Sequence, residues 1–224
     1  MFCAAQFVCF SLGLTLAGLL QKTGWAAFKP PEGFGLLLCA TLGFQGATWV
    51  LIGFFLRQHQ LSWREAFGLR KENLPRALLT ATGTLIVVLP VALFLQDLSV
   101  TALEKIGWPP EEQTAVQLVV GTKFWWTRAY LGVFAVGIAP VAEEFIFRGL
   151  LFPFVKQLGF PKVAWIGVSL LFALIHMDAA TFVPLFVLAL ALTWLYERTG
   201  NLLAPVTAHS LFNVANLIVF YSVK

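Results

Sequence analysis

The chain has 224 residues, 59% of them hydrophobic and only 12% charged, with a mean hydropathy of +0.82. A charged share of about half the usual value excludes an ordinary water-soluble enzyme and makes lipid the natural solvent. The formal net charge of +4 does not point to nucleic acid. The Lys and Arg residues fall in loops between apolar runs rather than in one stripe, and anionic lipid headgroups account for them.

Apolar runs separated by charged or Pro/Gly-rich breaks predict spans at Phe2–Leu20, Phe34–Leu56 and Ala77–Gln96. A long stretch, Phe124–Leu158, is interrupted near Pro140, and Val163–Met177, Ala179–Tyr196 and Leu202–Tyr221 complete the set. Alternation of period two is absent, and an open strand edge would leave backbone groups unsatisfied in hydrocarbon, so every span is read as a helix. The expected fold is an all-α polytopic membrane bundle of about seven helices (six to eight) around a conical or cleft-like polar cavity. It forms one integral-membrane domain over 1–224, with three spans in 1–96 and the remaining helices in 124–222.

The first run lacks a basic lead and a cleavage site, and reads as a retained anchor. Cys3, Cys9 and Cys39 lie in apolar segments without paired spacing, which fits small packing residues rather than disulfides or a zinc site. Between spans two and three lie Arg57, Arg64, Arg70, Lys71 and Arg76, the densest basic cluster. The positive-inside rule puts this loop, and hence the N-terminus, on the cytoplasmic side of the membrane. Within it, Ser62-x-x-Glu65 has the spacing of a capping box, and Trp63, Phe67 and Leu69 suit a short helix lying on the membrane surface. The segment 97–123 carries Pro109-Pro110-Glu111-Glu112 and then apolar Ala115–Val120, and is read as a loop or a re-entrant or lid helix. No internal repeat is evident, which weighs against an inverted-repeat transporter.

Ionisable residues inside spans are costly and usually mark a pathway or reaction site. Three clusters qualify: Glu143 and Glu144 with Arg148, then His176, then His209 with Asn213. Glu144 and Arg148 are i,i+4 helical neighbours able to neutralise one another, and Glu143, about 100° round the helix, is left over as a proton acceptor or donor. The competing reading is a buried ion-pair network that only fixes helix packing, with interhelical hydrogen bonds from His and Asn. At ~1.5 Å per residue, Glu143 lies roughly 22 Å from the turn near Leu158 and His176 roughly 21 Å from the turn near Pro161. His209 and Asn213 lie about 12 and 18 Å from the turn near Gly200. All three turns share one expected side, so the groups can converge in one band of the bilayer.

One free carboxylate, two imidazoles and an amide suit peptide hydrolysis, which needs a base for water and donors for the developing oxyanion. Ser210 adjoins His209 on different helix faces, so no Ser–His–Asp set arises. No Asp falls within an expected span, which removes an aspartyl mechanism. Glu143, His176 and His209 also form a possible zinc set, ranked below metal-free water activation for want of an HExxH motif. No cofactor is otherwise expected.

These residues resemble the CPBP family of intramembrane endopeptidases, which includes type II CAAX prenyl proteases and bacterial Abi-type proteins. The family pattern EExxxR, FxxxH and HxxxN or HxxxD reads here as Glu143-Glu144-x-x-x-Arg148, Phe172-x-x-x-His176 and His209-x-x-x-Asn213. Ala139-Pro140, Phe147-Arg148-Gly149-Leu150 and Tyr196-Glu197-Arg198-Thr199-Gly200 flank them similarly. The resemblance implies a glutamate-dependent membrane protease in which Glu143 and His176 activate water. His209 and Asn213 would form the oxyanion site, with Glu144, Arg148 and Phe172 in support. The short loops resemble the bacterial type. The implied partners are a membrane-associated peptide substrate and the bilayer itself. A non-catalytic scaffold or immunity protein, and a proton-coupled carrier, are the competing functions.

Overall fold

The structure is a computed structural model that describes residues 15, 18–20, 22, 41–69, 73–110 and 124–222. The first expected span, the start of the second, all three cysteines, Arg70, Lys71 and the Glu111–Val120 part of the expected lid lie wholly or largely outside the described residues. The described residues are helical, with no strand among them. They fall into two compact units, Met1–Ser62 with Val119–Leu131, and Trp63–Leu118 with Gly132–Lys224.

In the first unit a π-helical turn, Leu42–Gly46, leads into α1, Ala47–Gln58. Its buried residues Thr48, Ile52 and Leu56 recur every fourth position and so share one face.

The second unit begins with the short α2, Trp63–Phe67, directly after Ser62, where the capping-box spacing predicts a helix start. Its aromatic face does not lie wholly on the membrane surface as expected. Phe67 is buried, packed edge-on against Phe145 at 4.5 Å between ring centroids. The Leu202 N–H donates to the Phe67 carbonyl at 3.1 Å. A Cβ on Gly68 would stand 1.8 Å from the Gly200 oxygen, so the chain can dock here only with glycine.

α3, Leu74–Lys105, runs nine residues beyond the expected end at Gln96. Asp97 is one exposed polar residue in a run without a breaker, and the helix stops only ahead of Gly107 and Pro109. An Asp therefore does stand within an apolar helix, contrary to the expectation. The next stretch starts with α4, Trp125–Val133, which falls largely in the first unit, and carries α5, Ala139–Glu144, and α6, Phe152–Gln157, in the second. π-helical turns Phe134–Ile138 and Phe145–Leu151 join them. The stretch continues through Pro140, so it is not split into two spans.

α7, Pro161–Leu174, α8, Ala179–Thr199, and α9, Leu203–Ser222, complete the unit. Asp178 caps α8 by accepting from the Ala180 and Thr181 N–H groups at 2.9 and 3.4 Å. Gly200, at φ 59°, ends it in the left-handed conformation. α3 packs along α8 and α9, and α7 against α8 and α6. Small residues allow the close approach: Ala77 and Ala81 on α3 and Ala204 and Ala208 on α9 form one core with Leu188, Leu192 and Phe212. A second core joins Phe147 and Phe152 to Ala164, Val168, Phe172 and Ala189.

Among the described residues, Leu74–Lys105, Trp125–Gln157 and Ala179–Thr199 are long and apolar enough to cross a membrane. Pro161–Leu174 and Leu203–Val219 are shorter apolar helices. The protein is an integral membrane protein; seven spans are more than the described residues alone supply.

Candidate active site

All seven residues singled out from the sequence belong to the second unit. Glu144 and Arg148 pair as the i,i+4 spacing predicts, with Arg148 Nη1 donating to Glu144 Oε1 at 2.8 Å and both side chains fully buried. Arg148 also donates through Nη2 to the Ala189 carbonyl at 3.0 Å and through Nε to Thr193 Oγ1 at 3.4 Å. Thr193 Oγ1 lies 3.4 Å from Ser169 Oγ, extending the network to α7. The Phe172 ring lies under the guanidinium, 4.8 Å from its carbon, where a cation meets the negative face of the ring. A buried charge held by a carboxylate, a carbonyl, a hydroxyl and an aromatic face is fully compensated.

Sequence reasoning passed over Thr193 and Ser169. Their signal was a hydroxyl in an otherwise apolar run, weak because such hydroxyls commonly bond their own backbone four residues back. Both do so here, to Ala189 and Trp165.

His209 chooses between the two carboxylates. Its Nδ1 lies 2.9 Å from Glu144 Oε1, the same oxygen that takes Arg148. Its Nε2 faces Glu143 Oε2 at 3.8 Å. With Nδ1–H given to Glu144, Nε2 offers a lone pair in the neutral ring and a donor in the doubly protonated ring. Glu143 has no bound cation of its own, and its side chain is 23% exposed where Glu144 is 0%. The carboxylate read from the sequence as left over thus stands beside an imidazole rather than the guanidinium. His209, His176 and Arg148 all lie within electrostatic range of it.

His176 does not sit inside a span as expected. α7 ends at Leu174, and His176 stands exposed in the turn before Asp178, next to Met177 at φ 50°. Its Nδ1 lies 2.7 Å from the Phe172 carbonyl, one of the acceptors that every helix C-terminus leaves over. That bond fixes the proton on Nδ1 and leaves Nε2 as an acceptor. The Phe172 ring, fully buried, lies between the two imidazoles, 4.8 Å from His176 and 5.6 Å from His209.

Asn213 shares the α9 face with His209 but reaches a different partner. Its Nδ2 donates to the Ala135 carbonyl at 2.8 Å. In the preceding π-helical turn the Ala139 N–H bonds Phe134 five residues back. The next pair in that register is Pro140 with Ala135, and Pro140 has no N–H to give. Asn213 thus satisfies the carbonyl that Pro140 orphans, which ties α9 to the segment carrying the glutamates. Single π-helical turns of this kind collect at functional sites, and two of them flank Glu143 and Glu144. Gly149 makes room for the second: a Cβ there would come within 2.7 Å of the Phe67 ring.

No three of His, Cys, Asp and Glu among the described residues stand together in a group able to hold a metal ion. Fold and site together define a helical membrane protein with a polar centre built on α5, α7, α8 and α9. Residues 124–215, which contain that entire centre, match the family model described as type II CAAX prenyl endopeptidase Rce1-like. This segment is thus similar to the family that its motifs resemble. It is also 32% identical over 78 residues to the UPF0177 protein YxdF of Lactococcus lactis subsp. lactis (strain IL1403). That alignment covers 34% of this chain and 42% of the relative, so the chain spans less than half the length of the curated protein it matches. No solved structure matches.

Proposed function

We propose that the protein is an intramembrane endopeptidase that cuts a membrane-associated peptide, with Glu143 as the acid–base. One observation carries this: of two adjacent carboxylates, Glu144 is held at 2.8–2.9 Å by Arg148 and His209, while Glu143 has only the longer 3.8 Å approach of His209 Nε2 among the described residues. Two polar atoms at that separation can both reach one oxygen at hydrogen-bond distance. Glu143, with His176 Nε2 accepting, takes a proton from water, and the hydroxide adds to the scissile carbonyl carbon. The carbonyl oxygen becomes an oxyanion, received by His209 Nε2–H in the doubly protonated ring and by the second N–H of Asn213. When the C–N bond breaks, Glu143 returns the proton to the departing amine. Water activation in this scheme is metal-free.

The membrane in this proposal is a bacterial plasma membrane, with the N-terminus and the basic 57–76 segment on the cytoplasmic side. The experiment is cleavage of membrane peptides by purified protein in detergent, wild type against Glu143→Gln, His176→Ala and His209→Ala. Peptides are found by comparing the membrane peptidomes of cells carrying wild-type and Glu143→Gln protein. Loss of general acid–base catalysis should slow turnover roughly 10²–10⁴-fold. Wild-type rates in all three variants remove the catalytic assignment, and an unchanged cellular phenotype with Glu143→Gln favours a scaffold. Elemental analysis of the active preparation separates metal-free from zinc-dependent hydrolysis.

A further inference from the structure

Two cavities on the outer side of α3 and α8 meet at one residue. The first, about 430 Å³, is polar and lined by Asn73, Arg76, Thr80, Trp194 and Arg198 among others. The second, about 510 Å³, is apolar and lined by Val88, Trp165, Ile166, Val187, Leu190 and again Trp194. Both lie wholly in the second unit.

Their order along the helices is fixed by sequence. Arg76 stands in the first turn of α3 and Arg198 in the last turn of α8, so the polar cavity sits where both helices leave the bilayer. From Arg198 to Val187 is ~16 Å along α8, and from Arg76 to Val88 is ~18 Å along α3. The apolar cavity therefore continues the polar one inward by about one leaflet, half of a ~30 Å hydrocarbon core. Trp194 stands at the join, exposed, with Ile166 and Trp165 also exposed beside it. The Trp165 Nε1–H donates to the Leu190 carbonyl at 3.2 Å, which holds α7 and α8 together as the groove wall.

Charge decides the occupant. Two arginines face one small polar cavity, and among the described residues no carboxylate pairs with either. Asn73 precedes α3 without capping it, so its amide is also available. Basic pockets at the cytoplasmic ends of membrane helices suit phosphoryl headgroups, and arginine binds phosphate through a planar fork. An open apolar groove running inward from such a pocket suits an acyl chain rather than a water-soluble group.

We propose that this composite groove binds one anionic phospholipid, with its phosphoryl group on Arg76 and Arg198 and an acyl chain along Val88, Ile166, Val187 and Leu190. The site is separate from the glutamates. α8 turns Ala189 and Thr193 toward Arg148 and presents Leu190 and Trp194 to the groove.

Native mass spectrometry of the full chain released from detergent tests this, with phosphatidylglycerol and phosphatidylcholine of identical acyl chains as probes. Two arginines near an anionic headgroup give an expected preference for phosphatidylglycerol of about thirty-fold. Arg76→Gln/Arg198→Gln should reduce that preference to near unity, and Trp194→Ala should weaken both lipids alike. Each single glutamine variant should lose about five-fold, which keeps the test decisive should the double variant not fold. Equal retention of the two lipids by wild type overturns the proposal, as does wild-type preference in a glutamine variant. Displacement of phosphatidylglycerol by equimolar glycerol 3-phosphate identifies a soluble phosphoryl ligand and overturns the lipid assignment.

Discussion

Glu143 and Glu144 are consecutive residues on one helix, and the structure treats them oppositely. Glu144 Oε1 receives both Arg148 and His209 with no exposed surface, whereas Glu143 meets only the outer nitrogen of His209, at 3.8 Å, and keeps a quarter of its side chain open. A helix turns about 100° per residue. One carboxylate therefore meets Arg148 and the α9 residue His209 in the buried interior, while its neighbour keeps a part-exposed position facing His209 Nε2. The inner group holds the helices together, and the outer group is the one that the proposed reaction would use. The same side chain can be a brace or a reagent, and one residue of rotation decides which.

That contrast breaks most visibly on the inner side. Arg148→Ala leaves the buried Glu144 carboxylate with His209 alone and removes the tie to Ala189 and Thr193. Breaking a buried pair by removing one partner costs about 3–5 kcal/mol, and thermal unfolding in detergent should show a large loss or no folded protein at all. Glu143→Gln is the counterpart. Its stability should change by less than about 1 kcal/mol, since the side chain is part-exposed and its one ion-pair contact, to His209, is long, while peptide cleavage falls as stated above. Comparable destabilisation by both substitutions would merge the two roles and leave Glu143 as one more structural charge.

The i,i+4 spacings made much of this legible. Glu144 with Arg148, and His209 with Asn213, needed only the helical period to be placed on common faces. The partner each face would meet was not legible, because that depends on which helices pack together. Nothing in the sequence says that His209 takes Glu144 rather than Glu143, or that Asn213 takes a backbone carbonyl. The end of α7 was misplaced because unbroken hydrophobicity through Met177 outweighed Asp178, whose capping bonds to Ala180 and Thr181 start a new helix. α3 was cut short for the converse reason: Asp97 reads as a boundary, yet one exposed carboxylate does not stop a helix. Phe67 looked like a surface residue because its cover, Phe145 and Gly149, lies far along the chain.

A smaller effect sharpens the account of Asn213. Asn213→Ala leaves the part-buried Ala135 carbonyl without its donor, at a cost near the low end of the about 1–3 kcal/mol that a fully buried unsatisfied acceptor carries. Pro140→Ala supplies a backbone N–H in the same turn. In the double variant the helix can close on itself, so Asn213→Ala should cost about 1 kcal/mol less there than in wild type, within the range of coupling for contacting groups. Additive losses in the denaturation midpoints would mean that Asn213 serves the reaction alone and not the proline-broken turn.

The weakest expected effect lies at the rim, where Lys156 at the end of α6 pairs with Glu197 near the end of α8. The charges match those of Arg148 and Glu144, but this pair joins α6 to α8 and its side chains are 47% and 38% exposed. Water can take up either charge once its partner is gone. A double-mutant cycle on Lys156→Ala and Glu197→Ala should therefore return only about 0.2–1 kcal/mol. At about 1 M salt, where the screening length falls to ~3 Å, the coupling should vanish. Lys156 also lies over the Phe152 ring at 5.5 Å, a contact that survives loss of Glu197. Glu197→Ala alone should consequently cost less than Lys156→Ala. A coupling as large and as salt-resistant as that of the buried pair would show that burial is not what separates brace from ornament in this bundle.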